Sequence, residues 1–210
     1  GFSRYGALSS AAGSNVYGGA ITLDNPLTGA QINVEASVLT LTGSINSTTS
    51  TGLVLSSVNT SGVSGTGIFQ FSGVIGSGVT TLTKQSGGTA ILAGANAYTG
   101  LTTISAGALR LQNNSALGAT AQGTTITSGA ALEIDGTSAN GGLTVAEALT
   151  ISGTGLTDSP GAIRNIGGTN TLSGAITLGA ATTVASDAGT LTLAGGVTGA
   201  TFNLTFAGAG

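Results

Sequence analysis

The chain has 210 residues, of which 4 are basic and 7 acidic, and it contains no His, Cys, Met or Trp. That composition excludes a histidine-based triad, thiol chemistry and a Cys/His zinc site, and a net charge of −3 excludes a surface that tracks nucleic-acid phosphates. With 40% hydrophobic residues the chain is not disordered, and Ser, Thr, Gly or Asn interrupts every apolar run long before the ~20 residues of a membrane-spanning helix.

Taken in order, the sequence is a succession of short alternating strands set off by Gly, Asn and Ser-Gly turns. It opens on Gly1-Phe2-Ser3-Arg4, with neither an initiator methionine nor a signal peptide, as expected of a processed product or a slice of something longer. Asn15-Val16-Tyr17-Gly18-Gly19 leads into the strand Ala20-Ile21-Thr22-Leu23, and Val38-Leu39-Thr40-Leu41 alternates next. Phe69 and Phe71 flank Gln70 in the same manner. Asn96-Ala97-Tyr98-Thr99-Gly100 then leads into Thr102-Thr103-Ile104, followed by Ala106-Gly107-Ala108-Leu109-Arg110-Leu111. Ala116-Leu117-Gly118 has room for one helical turn at most. Gly129-Ala130-Ala131-Leu132-Glu133-Ile134 repeats the small–apolar–variable–apolar pattern. Asn170-Thr171-Leu172-Ser173-Gly174 precedes Ala175-Ile176-Thr177-Leu178, and Ala188-Gly189-Thr190-Leu191-Thr192-Leu193 and Phe202-Asn203-Leu204-Thr205-Phe206 complete the series. Alternation places Leu109, Leu111, Leu132, Ile134, Ile151, Ile176, Leu178, Leu191 and Leu193 inside and Arg110, Glu133, Asp135 and Thr192 outside.

Some of these strings recur at long range. Ala20–Leu23 is repeated identically 155 residues later, and Val38–Gly43 has a near copy 152 residues later. The expectation is a single continuous segment over residues 1–210 holding about one and a third copies of a long repeat. Recurrence without a closing element, small inward residues and few aromatics favour a solenoid over a sandwich. The expected fold is all-β, a right-handed parallel β-helix with coils of about 20 residues stacked about 4.8 Å apart.

Residues 82–119, LTKQSGGTAILAGANAYTGLTTISAGALRLQNNSALGA, resemble the autotransporter-associated β-strand repeat, also called the passenger-associated transport repeat. Leu82, Thr83, Lys84, Gly88, Thr89, Gly94, Asn96, Tyr98, Thr99, Gly100, Thr102, Ile104, Gly107 and Leu109 occupy that pattern, and Ser86 stands where the pattern has its first Gly. Residues 160–206 resemble the long tracts of such passengers. The resemblance implies a bacterial surface or secreted passenger, extracellular, made as a β-helix and exported by type V secretion, with no catalytic residue to transfer.

Candidate sites are few. Glu133 and Asp135 form the one close carboxylate pair, with the spacing of a solvated strand face rather than of glycosidase chemistry. Asp24 and Asp187 fall at turns, and no calcium loop is present. Gly76-Ser77-Gly78 lacks the Lys-Ser/Thr of a phosphate loop. Phe69, Phe71, Phe202, Leu204 and Phe206 read as core filling rather than a sugar-binding row. Asn15, Asn96 and Asn170 read as turn residues bonding along the stack rather than glycan contacts. Asn46, Asn59, Asn113 and Asn203 match N-x-S/T, which in so Ser/Thr-rich a chain is composition. No catalytic, cofactor or metal residue is assigned. The expected role is a structural stalk or fibre segment, not an enzyme, associating head to tail because Tyr5-Gly6-Ala7-Leu8 and Ala207-Gly208-Ala209-Gly210 both resemble interior pattern. The alternative is an adhesin binding a glycan or host surface laterally. A β-helical polysaccharide-degrading enzyme is disfavoured by the scarcity of clustered charge.

Overall fold

The computed structural model describes residues 8–24, 29–57, 65–138, 142–199 and 201–210. It is a β-solenoid of about 8 turns with about 23 residues per turn. Each coil contributes strands to up to three faces. Face one stacks Leu8–Ser10, Ala30–Val34, Thr51–Ser57, Val79–Ser86, Thr102–Ile104, Thr124–Ile126, Leu149–Gly153 and the start of Ile176–Ser186. Face two stacks Ser14–Tyr17, Val38–Leu41, Ile68–Phe71, Thr89–Leu92, Gly107–Leu111, Ala130–Asp135, Ile163–Gly167, the end of Ile176–Ser186 and Leu204–Gly208. Face three is more broken, with Ile21–Leu23 on Ile45–Ser47 and Thr144–Val145 on Thr169–Leu172 on Thr190–Leu193.

Among the described residues every pairing between coils is parallel. The antiparallel exception is local: Gly155–Leu156 pairs with Ser159–Pro160 in a hairpin inserted into one coil. Among the described residues the helical content is one 3-10 turn, Gly136–Ser138, and Asn113–Leu117 makes the single turn expected near Ala116. No described helix is long and apolar enough to cross a membrane.

Strand alternation builds the core as columns. On face two Leu39, Phe69, Ala90, Leu109, Leu132, Ile163 and Val184 stack in register, one per coil, and all are buried. Coils press closely at their corners. A Cβ on Gly43, Gly73 or Gly94 would lie 2.0–2.1 Å from the carbonyl oxygen of Gly19, Gly43 or Gly73 in the coil before, so any side chain there forces coils apart.

The expected coil of about 20 residues is borne out at about 23 residues per turn. Other expectations are corrected. The strings matched at long range do not occupy equivalent places: Ile21–Leu23 lies on face three and Ile176–Leu178 on face one, and Val38–Leu41 and Thr190–Leu193 also differ in face. What recurs in space is the coil. Glu133 and Asp135 do project from the strand, but they are 3% and 8% exposed, because long polar side chains of adjacent coils lie over them and Gly155–Leu156 packs against their strand. Leu191 and Leu193 are only half-buried, and Phe202 and Phe206 are 42% and 69% exposed. Phe206 sits in register on buried Val184, but no described strand covers its other side. Tyr5, Gly6, Ala7 and Asn59 lie outside the described residues.

Candidate functional site

The polar side chains that matter are of two kinds, a ladder on the outside of face two and a set of clamps inside the coil. The ladder follows from register. Arg110 pairs with Glu133 and Glu133 with Arg164 on successive strands. Arg110 contacts Glu133 at 2.7 Å, Glu133 contacts Arg164 at 3.3 Å, and Arg164 continues to Asp187 at 2.5 Å. Alternating sign up the stack lets each inner charge meet two opposite neighbours. Beside it, Gln112 donates to Asp135 at 2.9 Å. Burial alone would raise the Asp135 carboxyl, but the Thr137 hydroxyl, Gln112, the Thr137 N–H and Arg110 together hold it below the usual range. The Glu133 side chain is 4% exposed against 28% and 22% for its arginines. Glu133→Gln is therefore expected to cost about 1–2 kcal/mol, between the values of surface and buried pairs, and the loss shrinks at high salt. Denaturant unfolding at two ionic strengths measures it.

The interior clamps come from the 82–111 stretch. Lys84 occupies an inward position between Leu55 and Ile104 in the face-one column and has no exposed surface. Its Nζ donates to the carbonyl oxygens of Gln85 (3.2 Å), Ser86 (2.8 Å), Gly87 (2.8 Å) and Ala106 (3.1 Å). Burial pushes the ammonium down to about 7; the four carbonyls act the other way, because the charged form has three N–H donors and no lone pair facing them. The clamp holds the face-one to face-two corner to the next coil. Ser86 sits in that corner with φ 63°, the left-handed region that glycine occupies without strain. Ser86→Gly is expected to stabilise the fold by up to about 1 kcal/mol, read as a rise in melting temperature.

Asn96 ties three coils together. Its Oδ1 accepts from the Ile75 N–H at 2.9 Å, and its Nδ2 donates to the Ala116 carbonyl at 2.7 Å. Asn170 joins two coils, accepting from the Leu143 N–H of the coil before and donating to Asn165 and to the Gly167 carbonyl of its own coil. Asn15 differs: it is exposed, and among the described residues its side chain bonds the nearby Ser10 hydroxyl and Ala12 carbonyl. Tyr98 is fully buried and its hydroxyl meets Thr102 Oγ1 at 2.7 Å.

The remaining candidates serve the stack or its turns. Asp24 accepts from the Thr48 hydroxyl at 2.6 Å, one coil on. Asp187 ends the charge ladder. Gly76-Ser77-Gly78 forms a turn closed by the Val79 N–H on the Gly76 carbonyl. Phe69 and Phe71 stack inside the core with centroids 6.1 Å apart. Asn113 caps its own turn, accepting from the Ser115 N–H, while Asn46 and Asn203 are exposed.

Two features are not anticipated from residue type. Glu147 is an inward carboxyl, 2% exposed; its parity with Leu143, Val145 and Leu149 is the signal in the sequence that points to it. The second is an outward column on face one: Thr83, Thr103, Thr125, Thr150, Thr177 and Thr198 stack in unbroken register over six coils.

This is a parallel β-solenoid whose polar interior residues hold coils together. The family model of the passenger-associated-transport-repeat matches residues 82–111, which places Lys84, Asn96, Tyr98 and the corner glycine Gly94 inside the matched stretch. No curated protein and no solved structure matches the chain.

Proposed function

We propose that the chain is a non-catalytic structural segment of an extracellular passenger, a stiff spacer on or beyond the bacterial surface. The observation that carries this reading is that the matched repeat spends its signature residues on joining coils. Lys84, Asn96 and Tyr98 are buried and bonded to the fold, leaving none of them free for substrate. Rods of this kind also associate head to tail in our reading. The outermost described coils present in-register core positions, with Tyr17 at one end and Phe206 at the other 45% and 69% exposed, and a further coil of the same fold, from the same polypeptide or a second copy, covers them. Sedimentation of the 210-residue chain tests the second-copy case. Concentration-dependent growth that Phe206→Glu abolishes supports it, and a monodisperse monomer counts against it. A hydrolytic activity on polysaccharide would overturn the non-catalytic reading.

The threonine column favours a second reading, lateral adhesion to a neutral glycan. The outward neighbours of the column on either side, among them Thr81, Leu101, Ala148 and Ala175 and on the other side Gln85, Ser105, Thr127 and Ser152, bring no charge to face one. Retention of the chain on an insoluble neutral polysaccharide, lost in a Thr125→Lys/Thr150→Lys double variant that still folds, would support adhesion over a purely mechanical role.

A further inference from the structure

One buried titratable group belongs to neither the charge ladder nor the interior clamps. The alternation that buries Leu143, Val145 and Leu149 also buries Glu147. Its Oε2 and the Thr124 Oγ1 of the preceding coil are both enclosed, and neither has a partner of hydrogen-bond geometry among the described residues. Thr124 lies on face one in register with Thr102 and Leu149, so the carboxyl faces the hydroxyl-lined corner where Tyr98 meets Thr102. In the following coil Gly174 comes close to the Glu147 backbone: a Cβ there would lie 1.9 Å from the Glu147 carbonyl oxygen. The titratable group in range is Tyr98, whose phenol burial pushes up and which stays neutral between pH 4 and 8. Among the described residues Glu147 forms no ion pair, in contrast to Glu133.

The Thr124 hydroxyl has one hydrogen to offer, but no cation stands by to offset an ionised Glu147 in this enclosed place, and a proton on the carboxyl removes that cost. We propose that Glu147 is a proton-operated latch: protonated, it donates its O–H to Thr124 Oγ1 and ties the coil of residues 142–150 to the coil before it; ionised, its proton released to solvent, it keeps at most the one hydrogen the Thr124 hydroxyl can donate, is left buried with no counter-charge, and that coil opens more readily. Burial pushes the carboxyl from its ordinary 4.5 up to about 7, the Thr124 hydroxyl opposing by less. The closed coil therefore keeps its proton to higher pH than the open one. Closure is fully favoured below about 4.5, weakens as pH rises to about 7, and changes no further above that. Lys84 acts in a separate window, above 7, and Asp135 in one below the ordinary carboxylate range.

The test follows the Glu147 side-chain carboxyl by carbon NMR and the exchange protection of amides 143–150, both from pH 4 to 8, in the whole chain. The carboxyl is expected to titrate near 7, and protection, corrected for intrinsic exchange, to fall on the order of 100-fold between pH 4.5 and 7. Glu147→Gln should hold protection constant across that range. Thr124→Val should loosen these amides at pH 5 and at pH 8 and push the carboxyl titration higher still, because the hydroxyl accepts from the protonated carboxyl and donates to the ionised one. A carboxyl that titrates near its ordinary value, a fall in protection that survives Glu147→Gln, or full protection at pH 5 in Thr124→Val would each overturn the proposal. Should Glu147→Gln fail to fold, the wild-type carboxyl titration and Thr124→Val decide it.

Discussion

Lys84→Met is expected to lower the unfolding free energy by about 3–5 kcal/mol, on the scale of removing one partner from a buried charged cluster. Met fills the same channel between Leu55 and Ile104, so the apolar packing is retained. What is lost is the donor set for four carbonyl oxygens, those of Gln85, Ser86, Gly87 and Ala106. Three of these belong to one corner and the fourth to the next coil, so their loss undoes the corner and the seam between coils together. For a chain of this size the change corresponds to a drop in melting temperature of roughly 10 °C. Lys84→Arg should fare little better, because a planar guanidinium cannot aim its N–H groups at carbonyls gathered around a single point. Circular dichroism melts of the three proteins measure this. A Met variant as stable as the parent would mean the corner carbonyls find other donors.

The second large effect is expected at Tyr98. It is the largest side chain fully enclosed in the described core, and Tyr98→Ala should cost about 3–5 kcal/mol, the transfer of the ring plus the cavity it leaves. Tyr98→Phe should cost only about 1 kcal/mol, since it removes a single hydrogen bond, that to Thr102. The contrast separates packing from bonding: if Phe were as damaging as Ala, the hydroxyl and not the ring would hold this corner. Denaturant midpoints at pH 7, with slopes compared to confirm a common unfolding transition, give both values.

Much of the architecture is legible in the amino-acid order. A period of two in Leu109–Leu111 and Leu132–Ile134 states which side chains face in, and the shared motif states that Arg110 and Glu133 are equivalents one coil apart, as their 2.7 Å contact bears out. Asn96 and Asn170 are legible as bonds along the stack for the same reason. The parity rule reaches further than type-based expectation. Lys84 falls in step with Leu82, and Glu147 with Val145 and Leu149, so alternation alone points both inward, although charged residues ordinarily face water.

By itself, then, the sequence determined the fold class, the strand parity and the stretch that matches the passenger-associated-transport-repeat, because each rests on local alternation and spacing. Only the tertiary structure decided which coil lies on which. Coil lengths vary with their turns and with the Gly155–Pro160 hairpin, so a string such as Ala20–Leu23 and its copy at Ala175–Leu178 land on different faces. It also decided that Glu133 and Asp135, though outward from the strand, are shielded, and that Phe206, though in step with the core, is exposed. Burial of an outward or terminal side chain depends on what is stacked against it, and that neighbour lies some 20 or more residues away along the chain.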